Sequence, residues 1–224
     1  MLRVEFHCHT VYSKDCLTSP TALIEACQRK GLDRVVVTDH NTIAGALVAN
    51  ALDPDRVIVG EEIMTTRGEL LAAFVSDEVP PGLTPRESIE RLRRQSAFIS
   101  VSHPFDAARK GAWHLDDLLQ IAPLVDAIEV FNSRCMSPNA NTLALEFARS
   151  HGLAGTVGSD AHTAWELGRS SLLLQPFGDA ATLRAVLRAG VPRTRWSPPW
   201  IHITSRYARI RKWLASGLDT PRRP

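Results

Sequence analysis

Short apolar runs rich in β-branched residues alternate along this chain with longer stretches whose apolar positions recur every three or four residues. The first run, residues 3–9, predicts a strand. Ser19-Pro20 opens a helix, with Ser as cap and Pro in the first turn; Ala22, Leu23, Ala26 and Cys27 form its apolar stripe and Gly31 stops it. Residues 34–38 predict a buried strand, 42–51 a helix, 56–60 a third strand running into Glu61-Glu62-Ile63, and 69–75 a fourth. Thr84-Pro85 caps a helix over 86–95, and 97–102 is a fifth strand. A short helix at 115–121 precedes a sixth strand at 125–131. A helix over 139–150, with Leu143, Phe147 and Ala148 inward, precedes a seventh strand at 154–157. Residues 171–174 predict an edge strand and 180–189 a helix ended by Gly190.

Strands alternating with helices argue for an α/β fold, a parallel sheet with helices outside. Seven or so units in 224 residues favour a small closed (β/α) barrel over an open doubly wound sheet. No G-x-G-x-x-G follows the first strand, which argues against a dinucleotide site. The barrel occupies residues 1–195. After Pro198-Pro199 the pattern changes to a basic amphipathic helix with Trp200, Ile203, Tyr207, Ile210 and Leu214 on one face, interleaved with Arg206, Arg209, Arg211 and Lys212. Such a helix docks on the barrel, or contacts a membrane surface or nucleic acid. Residues 219–224 are expected to be disordered.

Composition narrows the picture. Apolar content is 44% and the formal charge only +2, so no global attraction to nucleic acid is implied. No apolar run approaches a membrane span. The four cysteines show no disulfide-like or C-x-x-C spacing, and the first strand leaves no room for a signal peptide. A cytoplasmic protein with reduced thiols is the simplest expectation.

The candidate chemistry lies where strands end. His7 and His9 project to one face of the first strand, since side chains at i and i+2 point the same way. His40 ends the second strand, Glu62 the third, His103 the fifth, and Asp160 and His162 the seventh; Asp15 lies in the loop after the first. In a parallel barrel the carboxyl ends of the strands share one rim, where such groups meet. Taken alone, Asp39-His40 and Ser159-Asp160-Ala161-His162 also read as helix caps. Together, the imidazole and carboxylate groups outnumber the needs of one tetrahedral ion and suit two or three divalent ions (Mn, Fe or Zn).

These residues resemble the PHP (polymerase and histidinol phosphatase) domain. The matching pieces are residues 6–15 (FHCHTVYSKD), 31–42 (GLDRVVVTDHNT), 60–63 (GEEI), 102–105 (SHPF), 128–134 (IEVFNSR) and 158–162 (GSDAH). The resemblance implies a distorted (β/α)7 barrel with a trinuclear centre at the C-terminal rim of the strands. The first ion would take His7, His9, Glu62 and Asp160, which would carry catalysis. The second would share Glu62 and add His103, and the third would take Asp15, His40 and His162. The sixth strand, which gives other members a Cys or His ligand, reads Glu129-Val130-Phe131-Asn132 here, so Glu129, Asn132 or water completes the second ion.

Three divalent ions less the charges of Asp15, Glu62 and Asp160 leave a cationic pocket suited to a phosphate ester. The expected reaction is hydrolysis of a small phosphate monoester or nucleotide by a metal-bridging hydroxide, with Lys14 and Arg134 holding phosphate oxygens. Two other functions compete with it: a 5′-3′ exonuclease on short oligonucleotides, with Trp196 and Trp200 on the strand path, and a non-catalytic metal-binding module.

Overall fold

The pairing of short strands defines the molecule. In the computed structural model these are β1 (Leu2–Cys8), β2 (Arg34–Val37), β3 (Val57–Met64), β4 (Glu69–Ala73), β5 (Phe98–Val101), β6 (Ala127–Asn132), β7 (Ala154–Gly158), β8 (Ser171–Leu174) and β9 (Val191–Arg193). The helices are α1 (Pro20–Lys30), α2 (Ala44–Leu52), α3 (Pro85–Arg94), α4 (Leu115–Ile121), α5 (Pro138–Ser150), α6 (Ala180–Leu187) and α7 (Ile201–Leu218). The structure describes residues 1–218; the end expected to be disordered, 219–224, lies outside the described residues.

The strands form one sheet in the order β7-β6-β5-β4-β3-β2-β1-β8-β9. Beyond β7 the chain returns to β1: His9 N donates to Ala161 O at 2.9 Å, and Ala161 N to His7 O at 3.3 Å. A parallel bridge between Cys8 and Ala161 thus makes the sheet nearly a closed barrel. The ends of β1 and β7, remote in sequence, meet there.

The sheet is not uniformly parallel. β4 runs antiparallel to both β3 and β5, because β3 and β4 form a hairpin around Thr65–Gly68 with no intervening helix. Gly68 packs against the Trp113 ring, where a Cβ would lie 2.4 Å from it, so the turn requires glycine. β8 is antiparallel to β1 and is covered on its far side by β9, so it is an interior strand and not the expected edge.

Capping sets the helix ends. Ser19 Oγ accepts from Ala22 N, and Gly31 at φ 64° closes α1 with its N–H turned back to Cys27 O and Gln28 O. Thr84 and Glu87 form a reciprocal capping box on α3. Ile89 and Leu92 of α3, Leu118 of α4 and Phe147 of α5 pack on Leu70, Ile99, Val101 and Ile128 of the sheet. Leu23 and Cys27 of α1 and Ala46 of α2 cover Cys8, Val35, Val37 and Val57. Each fully buried large side chain contributes about 1.5–3 kcal/mol relative to exposure.

Two expectations about helix faces fail. Leu143 is exposed on α5, whose inner face is Ala140, Ala144, Phe147 and Ala148. On α7 the stripe Ile203, Tyr207, Ile210 and Leu214 faces outward, while Ile201, Ser205 and Ala208 are buried. The docked face of α7 thus combines Ile201 and Ala208 with polar contacts. Arg134 Nη2 donates to Ser205 Oγ at 2.7 Å and to Ile201 O at 3.3 Å, and Lys212 Nζ donates to Val11 O and Ser13 O.

Candidate metal centre

At one rim the imidazoles of His7, His9, His40, His103 and His162 meet the carboxylates of Asp15, Glu62, Glu69 and Asp160. All are buried except His40, which is 17% exposed. His7 and His9 leave β1 on the same side, with their Nε2 atoms 3.2 Å apart, while Cys8 turns into the core under α1. His40 is carried there by a parallel bridge to Glu62 that extends the β2–β3 ladder. Alternation along β3 sends Glu62 to the histidines and Glu61 away, where Glu61 accepts from Val79 N and burial pushes its pKa up to about 8.

Three sets of donor atoms lie within 4.8 Å of one another: His9, His40 and His162; His7, His9 and Glu62; His40, Glu62 and Glu69. Glu62 Oε2 is 3.3 Å from His7 Nε2, 3.4 Å from His9 Nε2 and 3.0 Å from His40 Nδ1. Asp160 Oδ1 is 3.3 Å from His9 Nε2 and 3.6 Å from His7 Nε2. Asp15 Oδ1 is 3.3 Å from His162 Nε2 and 3.6 Å from His40 Nε2. Donors at about 2.1 Å from one tetrahedral ion stand about 3.4 Å apart, so this spacing fits shared cations. Both Asp15 Oδ1 and Asp160 Oδ1 are buried without a hydrogen-bond partner, a costly state that a cation relieves.

Supporting groups set the ring orientations. Glu129 Oε1 lies 3.0 Å from His7 Nδ1, and its Oε2 accepts from His103 N at 2.9 Å. His9 Nδ1 meets Ser13 Oγ at 3.1 Å, and Ser13 donates to Asp39 Oδ1 at 2.6 Å. His162 Nδ1 meets the Asp160 carbonyl at 2.9 Å. In the tautomers these partners require, the Nε2 lone pairs of all three rings point inward, as metal ligation demands. Asp160 itself sits in the left-handed region at φ 52°, a strained conformation typical of functional positions. Gly158 is indispensable beside it, since a Cβ there would stand 2.3 Å from Glu129 Oε1 and 2.4 Å from His7 Cβ.

The electrostatics follow from crowding. Burial disfavours protonated His7, yet Glu62, Asp160 and Glu129 outweigh it and hold its pKa well above the ordinary value. For His40 burial is likewise overcome, by Glu62 first, giving a pKa of about 9. Burial and the neighbouring rings of His162 and His40 push His9 down to about 4. Burial opposes ionisation of Asp160, but Arg109 and His7 keep its carboxyl far below the usual range. These are the directions expected of a carboxylate-rich cage whose natural counter-charge is cationic.

Glu129 and Asn132 stand behind the donor shell. Glu129 is engaged with His7 and His103 as above, and the Asn132 amide donates to Glu129 Oε2 at 3.1 Å and Asp160 Oδ2 at 3.3 Å while its Oδ1 accepts from Arg134 N. Arg134 is buried, with Nε 3.5 Å from Glu166 Oε1, Nη1 donating to Asp160 O at 3.3 Å, and Nη2 holding α7. Lys14 is exposed beside Asp15.

Two site residues are absent from the sequence-based set. Glu69 places Oε2 3.5 Å from His103 Nε2 and Oε1 3.9 Å from His40 Nδ1. It begins β4, and only an antiparallel strand puts its first residue at the rim where the others end. The polar stretch Thr65-Thr66-Arg67-Gly68 between two apolar runs was the hairpin signal. Arg109 reaches in from the loop after β5, donating to Asp160 Oδ2 at 2.5 Å and Asp106 Oδ2 at 3.0 Å; nothing in its local sequence marks it.

The PHP domain model matches residues 5–75 and the PHP-associated model residues 138–192. Two uncharacterised proteins of Methanocaldococcus jannaschii are 36% and 32% identical, over 75% and 64% of this chain and 69% and 90% of their own lengths. A 5′-3′ exoribonuclease of Haemophilus influenzae is 26% identical over 47% of this chain and 40% of its own. A two-domain Bacteroides vulgatus protein, described as containing a PHP-like metal-dependent phosphoesterase, superposes with a TM-score of 0.69 at 20% identity, covering 87% of this chain and 65% of that one. That likeness is one of fold. With both models matched in order along a barrel whose rim gathers their histidines and carboxylates, this chain belongs to the PHP domain family.

Proposed function

We propose that the chain is a metal-dependent phosphoesterase acting on a small phosphate monoester or a nucleotide. The observation that carries this is the convergence of imidazole nitrogens and unpartnered carboxylate oxygens, at the spacing of shared ligands, on one buried rim. His7, His9, Glu62 and Asp160 would hold the first ion; Glu62, His103 and Glu69 the second; Asp15, His40 and His162 the third. Divalent ions of the Mn, Fe or Zn class supply Lewis acidity there and lower the pKa of water toward neutrality.

The chain's own groups do the rest. Glu129 fixes His7 and the backbone of His103, and Ser13 with Asp39 fixes His9. Arg109, 22% exposed beside Asp160, is the guanidinium positioned to meet phosphate oxygens, and the exposed Lys14 next to Asp15 is the second candidate for that role. Arg134 acts from beneath, tying Asp160 O to α7. The name of the Bacteroides vulgatus neighbour supports the same chemistry.

The test is hydrolysis of p-nitrophenyl phosphate and nucleoside monophosphates by the manganese-loaded chain. Turnover is expected, to be abolished by EDTA and reduced at least about 10²-fold in Asp160→Asn, the scale of losing one electrostatic group at a reacting centre. A metal-replete chain inert toward every phosphate ester would leave the non-catalytic binding module as the better account.

A further inference from the structure

A second gathering of cations lies on the flank of the barrel, and the chemistry above makes no use of it. A cleft of about 470 Å3 is lined by Arg3, Lys30, Arg169, Arg193, Arg195 and Trp165, and no carboxylate lines it. The wider cleft beside α3, about 680 Å3, differs: Glu90 lines it, and its Arg93 is paired with Asp126 at 2.9 Å.

The cations of the flank cleft lack counter-charge. Arg3 and Lys30 are held in place by backbone carbonyls, Arg3 by Lys30 O and Gly168 O, Lys30 by Trp165 O and Leu167 O. Carbonyls fix such side chains but do not neutralise them. Arg169 donates to Trp196 O, yet its Nε is buried without a partner. The side chains of Arg193 and Arg195 are exposed, with no hydrogen-bond or ion-pair partner among the described residues. Burial lowers the pKa values of Lys30 and Arg169, and the neighbouring cations Arg169 and Arg195 add to it. Asp33 accepts from the Arg3 backbone N at 2.7 Å, while Glu5 and Glu166, whose fields reach Lys30 and Arg169, are buried and already accept hydrogen bonds from Ser159 N and Gly168 N, and from His162 N and Thr163.

An indole completes the cleft. Trp165 is 48% exposed, with the Arg169 guanidinium 4.7 Å from its ring centre and the Trp200 ring 5.3 Å away, tilted at 39° to it. This aromatic pair is close in sequence to groups of the metal rim. Trp165 follows His162 by three residues, and Trp200 precedes His202, which lies in the field of Arg134 first and then of Arg109 and Asp160.

We propose that this cleft binds single-stranded nucleic acid, the cations taking successive phosphates and Trp165 stacking a base. Five cations lining one cleft with an exposed indole suit a chain that carries both phosphates and bases. One free phosphate engages two or three donors at a point, and a lipid surface needs a flat face with apolar insertion. The inference rests on the proposed phosphoesterase only for what happens when the strand reaches the rim; binding itself needs no turnover.

The test is fluorescence anisotropy of a labelled single strand of roughly twelve nucleotides, RNA and DNA in separate arms, with the full chain in EDTA. Arg193→Glu with Arg195→Glu should weaken binding at least about tenfold and flatten the slope of log affinity against log salt by about 1.4. Arg86→Glu with Arg94→Glu, on exposed α3 residues of the wider cleft, changes net charge equally and should leave affinity unchanged. Equal losses in both pairs, absence of strand binding, full displacement by millimolar inorganic phosphate, or tighter binding to phosphatidylserine vesicles would each overturn the proposal. Hydrolysis of p-nitrophenyl phosphate without strand binding refutes this site and leaves the catalytic reading standing; strand binding without hydrolysis does the reverse.

Discussion

Glu129 shows how one side chain shapes a centre from behind. Its two oxygens accept from the His7 ring and the His103 backbone, and the Asn132 amide steadies it. Replacing it with Gln keeps the shape but removes the charge and the assured acceptor that fix the His7 tautomer. Glu129→Gln should weaken metal affinity by about 10–100-fold with little change in fold, read by competition against a chromogenic chelator. An unaltered affinity would mean that His7 needs no such partner. Glu129 was visible in the sequence as an acidic residue near a strand end, but its pairing with the ring 122 residues away was not. Spacing along a strand tells which face a group occupies; it does not tell whether it lies in the first layer of ligands or behind it.

Among the elements, β4 carries the main lesson. Alternating apolar runs revealed the strands, and the strand ends revealed seven of the rim's donors, His7, His9, His40, Glu62, His103, Asp160 and His162, with Asp15 in the loop after the first strand as the eighth. Assuming parallel strands throughout hid Glu69, because it begins its strand instead of ending it. Glu69→Ala should remove one ion per chain while leaving the others, measured by elemental analysis after loading with manganese and desalting. Retention of the full complement would place Glu69 outside the ligand set. Helix α7 teaches a related point. Periodicity marked an apolar stripe, but the stripe faces outward, and α7 is held through Ile201, Ser205 and Ala208 with hydrogen bonds from Arg134 and from Lys212 to backbone carbonyls. The exposed Ile203, Tyr207, Ile210, Trp213 and Leu214 of that helix therefore mark its outer side and not its anchor.

Across the whole molecule, the rim gathers strain and uncompensated charge, while the opposite end of the sheet supplies stability. Asp126, just before β6, accepts from Arg93 of α3 at 2.9 Å, from Ile99 N of β5 at 2.9 Å, and pairs with Arg184 of α6 at 2.9 Å. Burial opposes its ionisation, but these donors hold its pKa below the ordinary 3.8. A depressed carboxylate stabilises the fold fully above its unfolded value and loses that contribution as pH falls through its folded one. Asp126→Asn should therefore cost about 2 kcal/mol at neutral pH and make the acid limb of stability below 3.8 shallower, followed by thermal unfolding at graded pH. An acid limb identical to that of the native chain would rule the clamp out. No helix among the described residues is long and apolar enough to cross a membrane. The account as a whole depends on the rim being a shelter for several cations, and the metal content of the full chain after manganese loading tests it most directly. At least two ions per chain, falling in Asp160→Asn, is the predicted result; fewer than one ion per chain would contradict it.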